Sequence, residues 1–270
     1  MLPTLSAREV ANVAHAFAKA RLVESGPWEG VGAVLPEAVL RSLGDCDPQH
    51  LSNTAWAFAT AGHASSELFH AISAEAVRRG LGGFNPQHLS NTAWSFAVLN
   101  PPSADELFGT ALFTTQCANV EKSFSFSERK QLHQWSLWRE ERGAPWPTLN
   151  ESLRQACHDA FITPGETTSR LQSDVVREIR SHGVQVKEEH RCEISGYSID
   201  ALVTLKDGKR VAVEVDGPSH FVGRSQQPTG ATLLKHRQLR YFGWRLESVP
   251  YWEWDSGNKE LHWLPPSGAL

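Results

Sequence analysis

One short stretch of sequence occurs twice, as PQHLSNTAWAFA at residues 48–59 and as PQHLSNTAWSFA at residues 86–97, a spacing of 38 residues. A looser copy, EVANVAHAFA, stands at residues 9–18, and KQLHQWSLW at residues 130–138 is a more decayed one. Self-similarity at a period of this length predicts an architecture of stacked structural repeats. We expect the last copy to serve as a terminal cap.

Each repeat has the pattern of two helices. Pro48 suits the first turn of a helix whose apolar residues recur at helical spacing, and Gly62 ends it. In the third copy, Ser103 and Glu106 have the spacing of a capping box at the start of the second helix. A helix pair of this length cannot bury its apolar face alone, so the repeats are predicted to stack into an α-solenoid over residues 1–140.

The repeated text contains polar and aromatic residues that a helical core does not require. These are Asn53 and Trp56 in one copy, and Asn91 and Trp94 in the next. In one interpretation the polar side chains, including the repeated histidines, satisfy backbone groups at helix starts while the tryptophans fill the space between repeats. In the other interpretation these amide and aromatic groups contact unstacked bases of a single-stranded nucleic acid.

Composition limits the class of protein. The 270 residues, 40% of them hydrophobic, are enough for two domains with a core each. The formal net charge of −4 argues against a surface that binds phosphates everywhere, so any nucleic-acid site must be local. We expect a soluble protein with no membrane partner, because no apolar run reaches the length of a membrane span and no secretory signal is visible.

The pattern changes after about residue 139. Residues 141–171 combine charge, Gly, Pro and Trp with one helical stretch, and are predicted to be a linker with a helix. Residues 172–264 then alternate with a period of two in several segments, separated by helical text, in the order α-β-β-β-α-β. The turn KDGKR predicts a hairpin between the second and third strands, and RLESVPYWEW is predicted to be the last strand.

This order of elements, with acidic residues in the hairpin, resembles the core of the PD-(D/E)xK nuclease superfamily, particularly very short patch repair endonucleases. The segments VAVEVDGPSHF, LKHRQL and GWRLESVPYWEW more specifically resemble the RAP domain, a module of organellar RNA-processing proteins. The landmarks of this resemblance are Glu214, Asp216, Gly217, Pro218, His220, Phe221, Leu234, Lys235, Arg237, Gly243, Trp244, Pro250 and Trp254. The helical repeats resemble the octotricopeptide and FAST-kinase-like repeats that precede RAP domains.

The resemblance implies a restriction-endonuclease-like α/β domain after the α-solenoid. It also implies an RNA-binding protein of a mitochondrion or plastid that acts in RNA processing, stability, translation or ribosome assembly. Two alternatives stay open. One is a metal-dependent RNA endonuclease; the other is a structural protein of an organellar ribonucleoprotein, such as a mitochondrial ribosome.

The strand RVAVEVD places its side chains alternately on two faces. Val211, Val213 and Val215 are expected on one face, and Glu214 and Asp216 on the other. Two carboxylates of one strand therefore share a face of the predicted sheet.

If Asp200 on the partner strand lies beside Glu214 and Asp216, the three carboxylates form an all-oxygen cluster suited to Mg²⁺ or Mn²⁺. These three residues are the candidate metal ligands and catalytic residues. The nuclease motif has Lys two positions after the second acidic residue, whereas this chain has Asp216 there. Lys235 or His220 would have to supply the cation from elsewhere. Alternatively, Asp216 caps backbone amides in the turn that follows the strand.

Candidate RNA contacts lie near the end of that strand. Lys235, Arg237 and Arg240 fall on one predicted helix, His220 precedes it, and Arg224 lies in the loop between them. Cationic groups neutralise phosphates, and polar Gly-containing loops at strand ends commonly carry function. A helix with three cations also occurs as an ordinary solvated face, so this assignment depends on the family resemblance.

Overall fold

The computed structural model describes residues 7–19, 44, 46–164, 169–223, 225–255 and 261–264. Its described residues form two compact units. The first lies within Met1–Phe161 and also includes Val222–Leu234; the second comprises Ile162–Phe221 and the residues from Lys235 onward. The segment 222–234, which the sequence pattern assigns to the C-terminal domain, is therefore part of the helical unit.

The first unit is helical. Its helices are α1 (Ala7–Lys19), α2 (Pro48–Thr60), α3 (Ser66–Arg78), α4 (Pro86–Leu99), α5 (Ala104–Phe108), α6 (Leu112–Asn119), α7 (Phe126–Glu141) and α8 (Glu151–Ile162). Helices α1, α2, α4 and α7, which carry the four copies of the repeated text, pack in succession, each against the next. The partner helix expected for the first copy falls outside the described residues.

The repeated PQH text explains why α2 and α4 begin where they do. The Asp47 carboxylate accepts a hydrogen bond from the backbone N–H of His50 at 2.9 Å, and His50 Nδ1 accepts one from the backbone N–H of Asp47 at 3.4 Å. Asn85 and His88 repeat this reciprocal arrangement at the start of α4. Such a capping box satisfies two of the backbone donors that a helix start leaves without intrahelical partners.

The capping box expected at Ser103 and Glu106 is absent, and that prediction is wrong. The Ser103 side chain makes no capping bond, and α5 is only five residues long. Glu106 is used elsewhere: its carboxylate accepts a hydrogen bond from Ser73 Oγ at 2.8 Å and pairs with His70 at 3.0 Å. A tertiary contact thus takes the carboxylate that the local sequence pattern assigned to the helix start.

The core of the helical unit is aromatic. Phe69, Phe96 and Phe108 are fully buried, and Phe96 lies edge-on to both of the others, with ring centroids 4.9 and 5.5 Å apart. Trp135 and Trp138 of α7 are also buried and contact the Phe108 ring. Helix α7, the decayed fourth copy, therefore closes this core.

The second unit has the predicted order α-β-β-β-α-β. Its elements are α9 (Arg170–Ser181), β1 (Gln185–Arg191), β2 (Ser198–Thr204), β3 (Arg210–Asp216), α10 (Gly230–Tyr241), β4 (Arg245–Pro250) and α11 (Tyr251–Asp255). Helix α10 belongs to this unit from Lys235 onward. The hairpin turn KDGKR lies between β2 and β3 as expected, but the last strand ends at Pro250, and the aromatic text that follows is helical.

The four strands form one mixed sheet in the order β1-β2-β3-β4. The first three are antiparallel neighbours, whereas β4 pairs parallel to β3, with Glu214 opposite Ser248 and Asp216 opposite Pro250. None of the helices in the described ranges is long and apolar enough to cross a membrane.

Candidate functional site

The two faces of β3 have opposite characters, as the alternation predicts. Val211, Val213 and Val215 join a buried cluster with residues of α9. Glu214 and Asp216 lie on the other face and are themselves buried. Two buried carboxyl groups on adjacent positions of one sheet face are costly unless other groups compensate their charge.

Asp200 of β2 lies next to these carboxyl groups. Its Oδ2 accepts a hydrogen bond from the backbone N–H of Val215 at 2.7 Å. Burial raises its pKa, and its negative charge in turn contributes to the raised pKa of Glu214. The three acidic residues predicted from the sequence therefore act on one another electrostatically.

Lys235 of α10 brings the compensating cation. Its Nζ contacts Glu214 Oε2 directly. Burial opposes the charged form of Lys235, but the fields of Glu214 and Asp200 outweigh it and raise the pKa of the ammonium group. Burial also raises the pKa of Glu214, to about 8, although the ammonium group works in the opposite direction. The position two residues after Glu214 lacks a lysine, and a lysine from a different element contacts the Glu214 carboxyl group instead.

Asp216 is held differently from Glu214. Its Oδ1 lies 2.8 Å from His220 Nδ1, and its Oδ2 accepts a hydrogen bond from Ser248 Oγ and lies 3.4 Å from His236 Nε2. Burial opposes ionisation of Asp216, but the contacts with His220 and His236 outweigh it and lower its pKa. Asp216 is thus the ionised member of the group, which we call the carboxyl cluster (Asp200, Glu214, Asp216 and Lys235).

The oxygen atoms of the cluster differ in how they are satisfied. Both oxygens of Asp216 are engaged, and Asp200 Oδ2 is bonded to the backbone. Glu214 Oε1 is buried without a hydrogen-bond partner. Within the described ranges, no three His, Cys, Asp or Glu side chains are grouped so that they could hold a metal ion.

Two polar groups near the cluster were not predicted from the sequence. His236 and Ser248 approach Asp216 from α10 and β4, and the parallel pairing of β4 with β3 is what brings Ser248 there. In the sequence they lie 20 and 32 residues after Asp216, and no motif or spacing there indicates that they approach it. Only the positions of the elements reveal them.

The residues predicted to contact RNA differ in exposure and in their partners. Arg240 is exposed, while Arg237 and His220 are half-buried. Lys235 lies in the carboxyl cluster, so its charge is shared with three carboxyl groups. Arg224 lies outside the described residues.

The candidate residues of the helical repeats also separate into two groups. Trp94 and Asn91 are buried, and Asn91 Oδ1 accepts a hydrogen bond from Gln131 of α7 at 3.1 Å. Asn53 and Trp56 are half-buried, and the Trp56 ring lies 5.1 Å from the ring of His15. Burial favours a packing role for the later copy and leaves the earlier copy accessible.

The fold and the cluster define a small α/β domain with a mixed sheet and a buried lysine–carboxyl site, preceded by a helical unit. Residues 213–263 match the family model of the RAP domain. The chain therefore contains a RAP domain, as the resemblance of its sequence predicted.

The chain is also similar to a curated plant protein. It is 29% identical over 170 residues to a RAP domain-containing protein, chloroplastic, from Oryza sativa subsp. japonica. The match covers 59% of this chain and 26% of the relative, so the chain spans about a quarter of the length of that protein.

Proposed function

We propose that this chain is an organellar RNA-binding protein of a plastid or mitochondrion. The observation that carries the proposal is the RAP domain at residues 213–263, and the chloroplastic relative supports an organellar site of action. Its partner is RNA, single-stranded or ribosomal. Its role lies in RNA processing, stability, translation or ribosome assembly.

The geometry favours binding over cleavage. Both oxygens of the Asp216 carboxylate, a group that a metal-dependent cleavage site would need, already have protein partners in His220 and Ser248. The cluster therefore serves first to hold α10 on β3, with Lys235 as the connecting side chain. Arg237 and Arg240, farther along the same helix, are the cations that contact phosphates.

The test is RNA affinity as a function of salt, measured by fluorescence anisotropy with a labelled single-stranded RNA. Arg237→Gln combined with Arg240→Gln should weaken binding and reduce the slope of log affinity against log salt by about 1.4, since each phosphate contact on a single strand contributes about 0.7. The matched control replaces Arg177 and Arg180, two exposed arginines of α9, in the same way. If the wild-type chain binds no RNA, and is recovered from cells only within a large ribonucleoprotein particle, the structural alternative holds instead.

A second candidate function is metal-dependent cleavage of RNA. The observation that favours it is the contact between Lys235 and Glu214, which places a cation beside Glu214 although the sequence position used in the nuclease superfamily is acidic. The residues that would hold Mg²⁺ or Mn²⁺ are Asp200, Glu214 and Asp216. They would first have to rearrange, since within the described ranges no such side chains are grouped to hold a metal ion. The ion would supply charge stabilisation at a phosphate.

Two readouts test this candidate. Mg²⁺ or Mn²⁺ should raise the melting temperature of the wild-type chain, because an ion that binds only the folded state stabilises it. Glu214→Gln should abolish that increase, together with any Mn²⁺-dependent cleavage of single-stranded RNA. Cleavage that persists in a Glu214→Gln preparation would come from a contaminant or another site and would reject the assignment.

A further inference from the structure

A pocket of about 440 Å³ lies beside β4 in the second unit. Its walls come from β4 itself, from α11 and from residues 261–263. The volume falls within the range of small-molecule sites, about 300–1,000 Å³. The lining residues all lie within the segment that matches the RAP domain.

Two tryptophans line the pocket. Trp254 is 7% exposed and belongs to the core cluster of the sheet, and Trp263 is half-buried against the same cluster. Because the core holds both rings, the aromatic surfaces keep their positions when the pocket contains no ligand. Planar aromatic surfaces of this kind stack on nucleobases, at about 1–3 kcal/mol per base.

The polar lining carries both donors and acceptors: Arg245, Ser248 and His262 stand beside two carboxylates. Glu247 and Glu253 contribute carboxylates, and Arg245, which pairs with Glu247 at 3.1 Å, contributes a cation at the same wall. A carboxylate accepts two adjacent N–H donors well, as its pairs with arginine show. Among the four RNA bases, guanine alone presents two such neighbouring donors, N1–H and the 2-amino group, on one edge.

We propose that this pocket binds one unstacked nucleobase of single-stranded RNA and prefers guanine. The base stacks on Trp263, and a carboxylate, Glu253 in the first place, accepts hydrogen bonds from its Watson–Crick edge. Proteins recognise single-stranded RNA in this way, by stacking bases on aromatic side chains and reading their edges. The proposal rests on the proposed RNA-binding function, but it assigns base recognition to a pocket that the cationic residues of α10 do not line.

The direct test uses the full chain and guanosine 5′-monophosphate, with ligand-observed saturation-transfer NMR. Guanosine 5′-monophosphate should give a stronger signal than the adenosine, cytidine and uridine monophosphates. Trp263→Ala and Glu253→Gln should each weaken its binding about tenfold, corresponding to the loss of one stacking or charge-assisted contact. Glu193→Gln makes the same change at an exposed glutamate outside the pocket and should leave binding unchanged.

The RNA test uses a guanine-containing single strand and the same strand with inosine in place of guanine, which removes only the 2-amino group. The wild type should bind the inosine strand several-fold more weakly, and Glu253→Gln should bind both strands equally. If RNA binds but neither the base change nor Glu253→Gln has an effect, the pocket assignment fails and the RNA-binding function stands. If guanosine 5′-monophosphate binds in the pocket but no RNA binds, the RNA-binding function fails and the pocket is a nucleotide site. Absence of guanosine 5′-monophosphate binding, or binding that survives Trp263→Ala, overturns the proposal.

Discussion

Lys235 and Glu214 occupy a site that neither side chain would tolerate alone. Glu214 is fully buried and Lys235 partly buried, and the Lys235 ammonium group contacts the Glu214 carboxyl group directly. Removing one partner of a buried ion pair leaves an uncompensated charge, which costs about 3–5 kcal/mol, whereas removing both is often nearly neutral. The two residues are therefore strongly coupled, even though the pair as a whole contributes little net stability.

Lys235→Met should lower the free energy of unfolding by about 1–3 kcal/mol at neutral pH, because the largely protonated Glu214 carboxyl group then loses its buried polar partner. Glu214→Gln combined with Lys235→Met should be more stable than Lys235→Met alone. Urea unfolding of the wild type, both single variants and the double variant would measure this coupling. A double variant as unstable as the sum of the two single variants would show that the two residues act independently.

The pH dependence of the same variants follows from the raised pKa of Glu214. Its folded-state pKa of about 8 lies above the unfolded value, about 4.3, so its contribution to stability is present at low pH and is lost as the pH rises through 8. Without the Lys235 ammonium, which lowers this pKa, the loss should become larger. Unfolding at pH 5, 7 and 9 should show a steeper decline for Lys235→Met than for the wild type, and no such decline from this group in the double variant.

The two copies of the repeated asparagine should differ in their effect on stability. Asn91 is buried and bonded to Gln131, whereas Asn53 is half-buried. Asn91→Ala should cost about 1–3 kcal/mol because it removes a buried, hydrogen-bonded side chain and leaves the half-buried Gln131 amide without this acceptor. Asn53→Ala should cost less. Phe96→Ala, a full core truncation, should cost about 3–5 kcal/mol. Equal losses for both asparagines in denaturant unfolding would contradict the assignment of their faces.

At the scale of elements, the sequence pattern predicted correctly those features that depend on a single segment. The order α-β-β-β-α-β, the hairpin turn and the faces of β3 follow from periodicity and turn chemistry, and the structure confirms them. The capping box at Ser103 and the extension of the last strand beyond Pro250 were wrong. In the first case, Glu106 contacts Ser73 and His70 of another helix. A pattern read from neighbouring residues cannot reveal such a distant contact. The same reason hides His236 and Ser248, since only the pairing of β4 and the position of α10 bring them to Asp216.

Gly230, at the start of α10, shows how closely that segment packs in the helical unit. A Cβ atom there would overlap the carbonyl oxygen of Ala59 and lie 2.8 Å from Val98 Cγ1. In an ordinary helix, replacing glycine with alanine stabilises by about 1 kcal/mol. At Gly230 we expect the replacement to destabilise instead, because of the overlap. Gly230→Ala should lower the melting temperature by several degrees, while Gly217→Ala, where nothing lies within 4 Å of the added Cβ, should have little effect.

At the scale of the whole molecule, the described chain divides into units at points that the sequence pattern does not mark. The predicted boundaries were residues 1–140, 141–171 and 172–264, but the contacts assign Val222–Leu234 to the helical unit. Gln227 Nε2 donates a hydrogen bond to the carbonyl oxygen of Ala61 at 3.1 Å, and Leu234 joins the core of the helical repeats. A segment that belongs to the RAP domain in sequence is thus part of the helical unit in structure. The sequence has no marker for this division, because it arises from contacts between residues more than 150 positions apart.

Two leucines of α10 provide the test, because they lie on either side of the division. Leu234 and Leu239 are both fully buried, but Leu234 belongs to the helical unit and Leu239 to the sheet unit. Each change to Ala should cost about 2–5 kcal/mol, since each removes a buried side chain. Native-state hydrogen exchange should nevertheless show the losses in different places, because local opening follows the cooperative unit that is destabilised. Leu234→Ala should reduce protection of the amides in α2 and α4, and Leu239→Ala that of the amides in β2 and β3. If Leu234→Ala instead exposes the sheet and leaves α2 and α4 protected, the segment 222–234 belongs energetically to the RAP domain.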